Sequence, residues 1–420
     1  MCQKDELLEP PPVLTVEPGP VPDSDRIDSL DVLRGFAVLG ILVMNIQAFS
    51  MIGPAYDNPA AYGDIQGGDY WAWLFSHVLF SGKFMTIFTM LFGAGIVLMC
   101  GRREAVGRGS AGIHYRRMGV LLVFGLLHAY LLWHGDILFT YAMCGFWVYL
   151  CRNWRPSILI GIGLLLIAIP PLLSCGLVWT MQFWPADEIK DFLFTWTPAQ
   201  ERIDAETAAF LGGWWDQMGE RANTALMIQT FALVFWTSWM GTGLMYIGMA
   251  LFKLEVFSAK RSVVFYLTMI VIALAVGIPT IFYGVFRNIE ADWHPKYVMF
   301  LGGQYNYLAS TLVSLGWIAL VMLICKRRKW HGITRPLASV GRMALTNYLM
   351  QSAICTMIFY GHGFGLFGKV SRVGQLGFVL GVWVFQLIVS PIWLRYFRFG
   401  PLEWLWRSLT YWKRQTMLRG

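Results

Sequence analysis

The sequence predicts an all-α polytopic membrane protein of about ten transmembrane helices packed in one bundle. Three observations carry this. Of 420 residues, 56% are hydrophobic and only 14% are charged, whereas a soluble domain carries about 25% charged residues. Apolar runs long enough to cross a bilayer recur along the chain, with a mean hydropathy of +0.53. The Lys and Arg residues fall in alternate loops, as membrane orientation demands.

The spans are expected near 31–52, 82–101, 118–134, 136–151, 156–181, 225–252, 263–286, 304–325, 336–361 and 375–397. The first enters through Asp31 and Arg34 and carries Asn45 within it, so it is expected to face a protein interior rather than lipid. Residues 69–82 are aromatic and amphipathic and suit the outer interface before the second span. Only His134-Gly135-Asp136 separates the third and fourth spans, which predicts a tight hairpin. Pro170-Pro171 should kink or break the fifth and leave carbonyls in need of partners. The ninth carries Ser339, Arg342 and Thr346 as one strip, with Asn347 and Gln351 beside it, an arrangement suited to interhelical packing.

Loops with Arg102, Arg103, Arg108, Arg116 and Arg117, and with Lys326 to Lys329 and Arg335, alternate with loops poor in basic residues. The 182–224 loop is acidic. The positive-inside rule then predicts a multi-pass protein of the bacterial inner membrane, with both termini in the cytoplasm and 182–224 outside. Residues 1–25, acidic and proline-rich, are expected to form a disordered cytoplasmic tail before a helical membrane domain at 26–398. Residues 399–420 alternate Arg with Trp and read as a basic amphipathic segment on the inner membrane surface. The net charge of +8 comes from Lys and Arg in short loops and at the membrane surface, so nucleic acid is not an expected partner; the lipid bilayer is. Assembly into a homo-oligomer is left open. The seven cysteines form no C-x-x-C pair and suit helix packing.

Two helices repeat one geometry. Asn45 follows Arg34 by eleven residues and His128 follows Arg117 by eleven. Each pair shares a face to within about 20° and spans roughly 16 Å of helix. Arginines at the inner rim can hold an anion such as phosphate through bidentate forks. A midplane His can move a proton. The plainer readings are that Arg117 is a positive-inside flank, that Arg34 neutralises Asp31, and that His128 bonds a neighbouring carbonyl or Ser. Asp136, eight residues past His128, can cap the fourth span, face a substrate, or both. His77 and Lys83, near the second span, are snorkelling residues by default and otherwise line the outer mouth. Arg342 also stands near the cytoplasmic rim. No P-loop, no H-E-x-x-H or other dense metal-ligand cluster and no G-x-S-x-G is present, which argues against an ATP-driven pump, an intramembrane zinc protease and a serine hydrolase elbow.

The blocks RIDSLDVLRGFAVLGILVMN, GLLHAYLLWHGDILFTYA, GRMALTNYLMQSAICTMIFYGHGFGLFG and RYFRFGPLEWLWRSLTY resemble the YeiB-like family of bacterial inner-membrane proteins, in the expected order and over everything after the tail. The first block is also similar to the start of transmembrane acyltransferases, including the heparan-type glucosamine N-acetyltransferases. That resemblance implies transfer from cytoplasmic acyl-CoA, as co-substrate, to a small-molecule or glycan acceptor on the far side through a membrane-embedded His. Their His follows an aromatic stretch like Tyr70 to His77, but the YeiB-like pattern does not dependably carry one there, and His128 lies inside a family block. The expected catalytic set is therefore His128, Asp136 and Asn45, with His77 second among the histidines; Arg34, Arg117 and Arg342 are expected to hold the CoA phosphates. The alternative is a secondary transporter, proton-coupled through His128 and Asp136. A third reading is a scaffold in which these residues only pack helices.

Overall fold

A computed structural model describes residues 27–63, 65–194, 196–294 and 297–419. The tail expected at 1–25 lies outside the described residues. Seventeen α-helices follow one another among them, and the ten positions expected to span are all helical.

By length and composition, seven stretches among the described residues can cross a membrane: Asp28–Ser50, Gly67–Ala105, Ala111–Leu132, Pro156–Phe183, Val263–Glu290, Phe300–Cys325 and Arg372–Tyr396. Leu138–Cys151 is a shorter apolar helix. The other two expected spans are α9 and α10 (Met218–Met227 and Ser238–Lys253, joined by a π-helical stretch) and α14 and α15 (His331–Arg342 and Ala344–Phe359). The α15 helix is the less greasy because Asn347, Gln351, Ser352 and Thr356 face protein and not lipid.

The first helix, α1 (Asp28–Ser50), is the centre of the bundle: 78% of its apolar window is buried, against 22% for α16 (Arg372–Tyr396). This fits the polar groups the sequence places on α1, since such groups are tolerated at membrane depth only inside protein. Glycines let backbones touch there. A Cβ at Gly341 of α14 would overlap the Asp31 carbonyl of α1, and one at Gly35 would overlap the Leu337 carbonyl. Outer helices turn leucines and valines such as Leu165, Val264 and Val384 outward.

Pro170 and Pro171 do not break α6 (Pro156–Thr180). Pro171 has no N–H for the Ile167 carbonyl four residues back, and the hydroxyl of Tyr307, on α13 (Gly303–Cys325), donates to that carbonyl at 3.0 Å. A neighbouring side chain replaces the missing donor, so the helix continues.

Charge separates the two ends. At one, Arg152 pairs with Glu104 at 2.9 Å, Lys253 reaches the Trp154 carbonyl and Ser29 reaches the Phe257 carbonyl. At the other, Glu206 of the acidic segment accepts from Gly53 N–H just past α1, and the Phe210 carbonyl accepts from Gly361 N–H just past α15. The last helix, α17 (Pro401–Tyr411), lies along α4 (Ala111–Leu127). The chain then doubles back, with Leu418 bridging Phe397.

Candidate functional site

His128 ends α4 and opens one π-helical turn, His128–Leu132, closed by a 2.8 Å bond from Trp133 N–H to the His128 carbonyl. Such turns often mark functional positions in helices. The chain then reverses through Gly135 and Asp136 into α5 (Leu138–Val148). Asp136 Oδ2 accepts the Phe139 N–H at 2.7 Å, satisfying a donor at the start of α5. Its other oxygen, Oδ1, lies 2.8 Å from His128 Nδ1. The side chains are 0% and 2% exposed. The expected cap and the expected site residue are thus one carboxylate.

The second ring nitrogen, Nε2, lies 2.9 Å from Ser352 Oγ on α15. A carboxylate only accepts, so Nδ1 carries the proton toward Asp136 and Nε2 is left to accept from the serine hydroxyl. Several other buried serines of the bundle also bond back onto their own helices: Ser50 to the Ile46 carbonyl, Ser310 to that of Asn306, and Ser314 to that of Ser310. Among the described residues, Ser352 Oγ is bonded to His128 alone. Tyr348, one turn earlier, packs its ring 5.2 Å from the imidazole and donates to the Gly135 carbonyl. Trp133 meets the imidazole edge-on. The result is a Ser–His–Asp chain sealed from water, the arrangement that activates a hydroxyl for acyl transfer.

The sequence reading missed Ser352. It sits mid-helix with no elbow motif around it, and it reaches His128 across 224 positions. The only local signal is its place beside Gln351 in the polar strip of α15.

Asn45 was expected in the catalytic set with His128. Both ring nitrogens are occupied by Asp136 and Ser352 instead, and Asn45 is a half-buried residue of α1 one turn before Phe49, whose ring stacks on Trp133 at 4.1 Å. His77 lies on α2 (Gly67–Leu79), stacked on Trp73 in a separate cluster with Trp293. Lys83 does not snorkel. It is fully buried, held by the His77 carbonyl at 2.9 Å and by Asn306 Oδ1.

The arginines do converge. Arg34 pairs with Asp31 at 2.9 Å, and its Nη2 stands 3.9 Å from where a Cβ on Gly95 of α3 (Lys83–Ala105) would be. Arg117 Nη1 lies 3.3 Å from Met99 Sδ. Gly95 and Met99 are one turn apart, about 6 Å, so both guanidinium groups lie on the same stretch of α3. α1 and α4 meet through α3 between them. Arg407 of α17 is also within electrostatic reach of Arg117. Trp406 lies under the Arg117 guanidinium at 4.5 Å and donates to the Arg117 carbonyl. Arg342 follows Gly341, whose backbone abuts Asp31, so it stands beside the start of α1.

Glu403 joins this cationic corner to the serine helix. Its carboxylate accepts the Leu345 and Thr346 N–H groups at 2.6 and 3.0 Å and the Thr346 hydroxyl at 2.6 Å, capping α15. Burial pushes its carboxyl above the ordinary glutamate value, and the bonds from Thr346 and Leu345 pull the other way. Arg117 and His128 are eleven residues apart on one helix, roughly 16 Å. Two grooves lie elsewhere: one of about 650 Å³ between Ile354, Phe378 and Phe385, and one of about 410 Å³ between Trp393 and Trp404.

Residues 251–413 match a family described as "Protein of unknown function (DUF418)". The chain is 34% identical to the uncharacterized protein YeiB of Escherichia coli over 92% of its own length and 96% of that protein's. It is 29% identical to the uncharacterized protein YxaH of Bacillus subtilis over 93% and 96%. An uncharacterized 39.9 kDa protein of Bacillus acidopullulyticus matches at 27% identity over 93% and 96%. By its 34% identity to YeiB over nearly the whole length of both proteins, the chain belongs to the YeiB-like (DUF418) family.

Proposed function

We propose that the protein is a membrane-embedded acyltransferase that carries an acyl group from cytoplasmic acyl-CoA to a hydroxyl-bearing small molecule or glycan on the opposite side. The observation that carries the reading is the buried Asp136–His128–Ser352 chain, with distances of 2.8 and 2.9 Å. Arg34, Arg117 and Arg407 would receive the donor's phosphates at the basic end, which the positive-inside rule assigns to the cytoplasm together with both termini. The fit rests on Arg34 and Arg117 standing beside one stretch of α3, with Arg407 within electrostatic reach of Arg117, since guanidinium groups suit an anion.

In this reading Ser352 Oγ attacks the thioester carbonyl while His128 Nε2 takes the hydroxyl proton. The thiolate leaves and takes that proton from the imidazolium. The acceptor hydroxyl then attacks the serine ester, Nε2 takes its proton, and the proton passes to the departing serine oxygen. Asp136 holds Nδ1–H throughout and stabilises the imidazolium. The site's burial excludes the water that would hydrolyse the ester.

Purified protein incubated with radiolabelled acetyl-CoA should acquire label on Ser352. Transfer at the normal rate by the His128→Ala variant would refute the assignment. Proton-coupled transport is the second reading, favoured by the sealed His128–Asp136 pair, which can also hold and pass a proton. It requires substrate movement without chemical change in proteoliposomes, driven by a pH gradient.

A further inference from the structure

Beyond His128, toward the acidic end, several buried polar atoms have no hydrogen-bond partner: Trp133 Nε1, Thr207 Oγ1, Gln217 Oε1, Arg221 Nε and Tyr360 Oη. Trp133, Gln217, Arg221 and Tyr360 are each at most 2% exposed. Buried polar groups are normally satisfied, and each orphan costs free energy. Five in one region is a cluster, because their side chains surround one aromatic patch. Phe210 packs 4.9 Å from Tyr360 and 6.2 Å from His134, which lies 5.8 Å from Trp133. Thr207 is one turn from Phe210 on α8 (Gln200–Leu211). Gln217 bonds the Phe210 carbonyl through Nε2, and Tyr360 and His134 are both within electrostatic reach of Arg221.

We infer that this cluster binds a neutral, hydroxyl-rich ligand at the outer end of the Ser–His–Asp chain. The atoms on offer choose the class. Trp133 and Arg221 present N–H donors, Gln217 presents an acceptor, and the hydroxyls of Thr207 and Tyr360 do both. Such a mixture matches hydroxyl groups, each of which donates and accepts. Arg221 is already largely spent on the backbone: its Nη groups donate to the carbonyls of Leu131, Leu132 and Trp214, and Nε is its one nitrogen without a partner. Phe210, Trp133 and Tyr360 supply flat apolar faces for the carbon side of such a ligand. Trp133 touches both this cluster and the His128 ring, so a hydroxyl held here is beside the catalytic chain. The assignment of this ligand as the acyl acceptor rests on the proposed acyltransferase reading.

Binding is tested without any acyl donor. Thermal unfolding of the detergent-purified protein is followed with glucose, maltose and myo-inositol, with sodium phosphate as the anionic comparison. Tyr360→Phe and Thr207→Val each delete an unpartnered hydroxyl at constant shape, so both variants should unfold at or above the parent temperature without ligand. At least one neutral polyol should raise the parent's midpoint in a saturable way, and each variant should need severalfold more of it. No saturable shift with any of the three, or equal shifts in parent and both variants, overturns the inference, as does a shift with phosphate alone. If a polyol binds but no acyl transfer is found, the binding role of the cluster stands and the acyltransferase reading falls; transfer without polyol binding removes that binding role alone.

Discussion

The carboxylate of Asp136 lies 2.8 Å from Nδ1 of His128, while its second oxygen closes the first turn of the following helix. The hairpin between α4 and α5 therefore orients the imidazole as part of its own folding, and one residue serves both ends. Replacing it by Asn separates the roles. An Asn oxygen can still accept the Phe139 N–H, so stability should fall by no more than about 1 kcal/mol. Its amide cannot accept Nδ1–H as a carboxylate does, which favours the wrong tautomer. Acyl transfer by Asp136→Asn should drop roughly 10²–10⁴-fold, read as kcat with near-normal thermal stability.

Ser352 distinguishes covalent relay from direct transfer. Intact-protein mass spectrometry after a brief exposure to acyl-CoA should find one added acyl group in the parent and none in Ser352→Ala. An Ala variant that keeps full turnover would place the acceptor hydroxyl, and not Ser352, on Nε2.

Arg117→Ala and Arg407→Ala should each weaken the acyl donor through KM far more than kcat, because they act on remote phosphates. The loss should be roughly tenfold each and smaller at high salt, as expected for charge-assisted contacts screened by ions. Michaelis kinetics at two ionic strengths check this.

Glu403→Ala leaves the Leu345 and Thr346 N–H groups and a hydroxyl without their acceptor, at about 1–3 kcal/mol each for buried donors. It should unfold at a clearly lower temperature than Glu403→Gln, whose amide oxygen still caps α15. The pH dependence has a defined sign. Burial raises this carboxyl, so between the ordinary glutamate pKa and the raised one the folded state holds a proton that the unfolded chain has lost. Its contribution to stability therefore falls as pH rises through that window, and Glu403→Gln should flatten the trend in thermal melts.

Gly341→Ala places a methyl group onto the Asp31 carbonyl. Backbone cannot yield as a side chain can, so overpacking of about 1–3 kcal/mol is expected, measured as a lowered midpoint in detergent.

Much of this architecture was legible in the chain. Apolar runs located helices, and Asp31, Arg34 and Asn45 marked α1 as central because lipid does not tolerate such groups. Asp136 could be read as a cap from its place before an apolar run. Pro170-Pro171 predicted a kink or a break with an orphaned carbonyl; the helix runs on unbroken, since the donor from Tyr307 lies 140 positions from Ile167 and no local pattern reveals it. Lys83 looked like a snorkelling residue because its buried partner, Asn306, is equally remote. Ser352 was invisible for the same reason. Periodicity says which face a serine occupies, and only the packing of α15 against the α4–α5 hairpin says that His128 is there.

The central claim is that His128 activates Ser352 for acyl transfer. The most direct measurement is single-turnover transfer of label from acyl-CoA to the purified protein, comparing the parent with His128→Ala and Ser352→Ala at matched thermal stability. The account predicts rapid labelling of the parent at Ser352, labelling slowed by at least roughly 10²-fold in His128→Ala, and none at that position in Ser352→Ala. Equal labelling of all three, or none in a folded parent supplied with a range of acyl chain lengths, would contradict it.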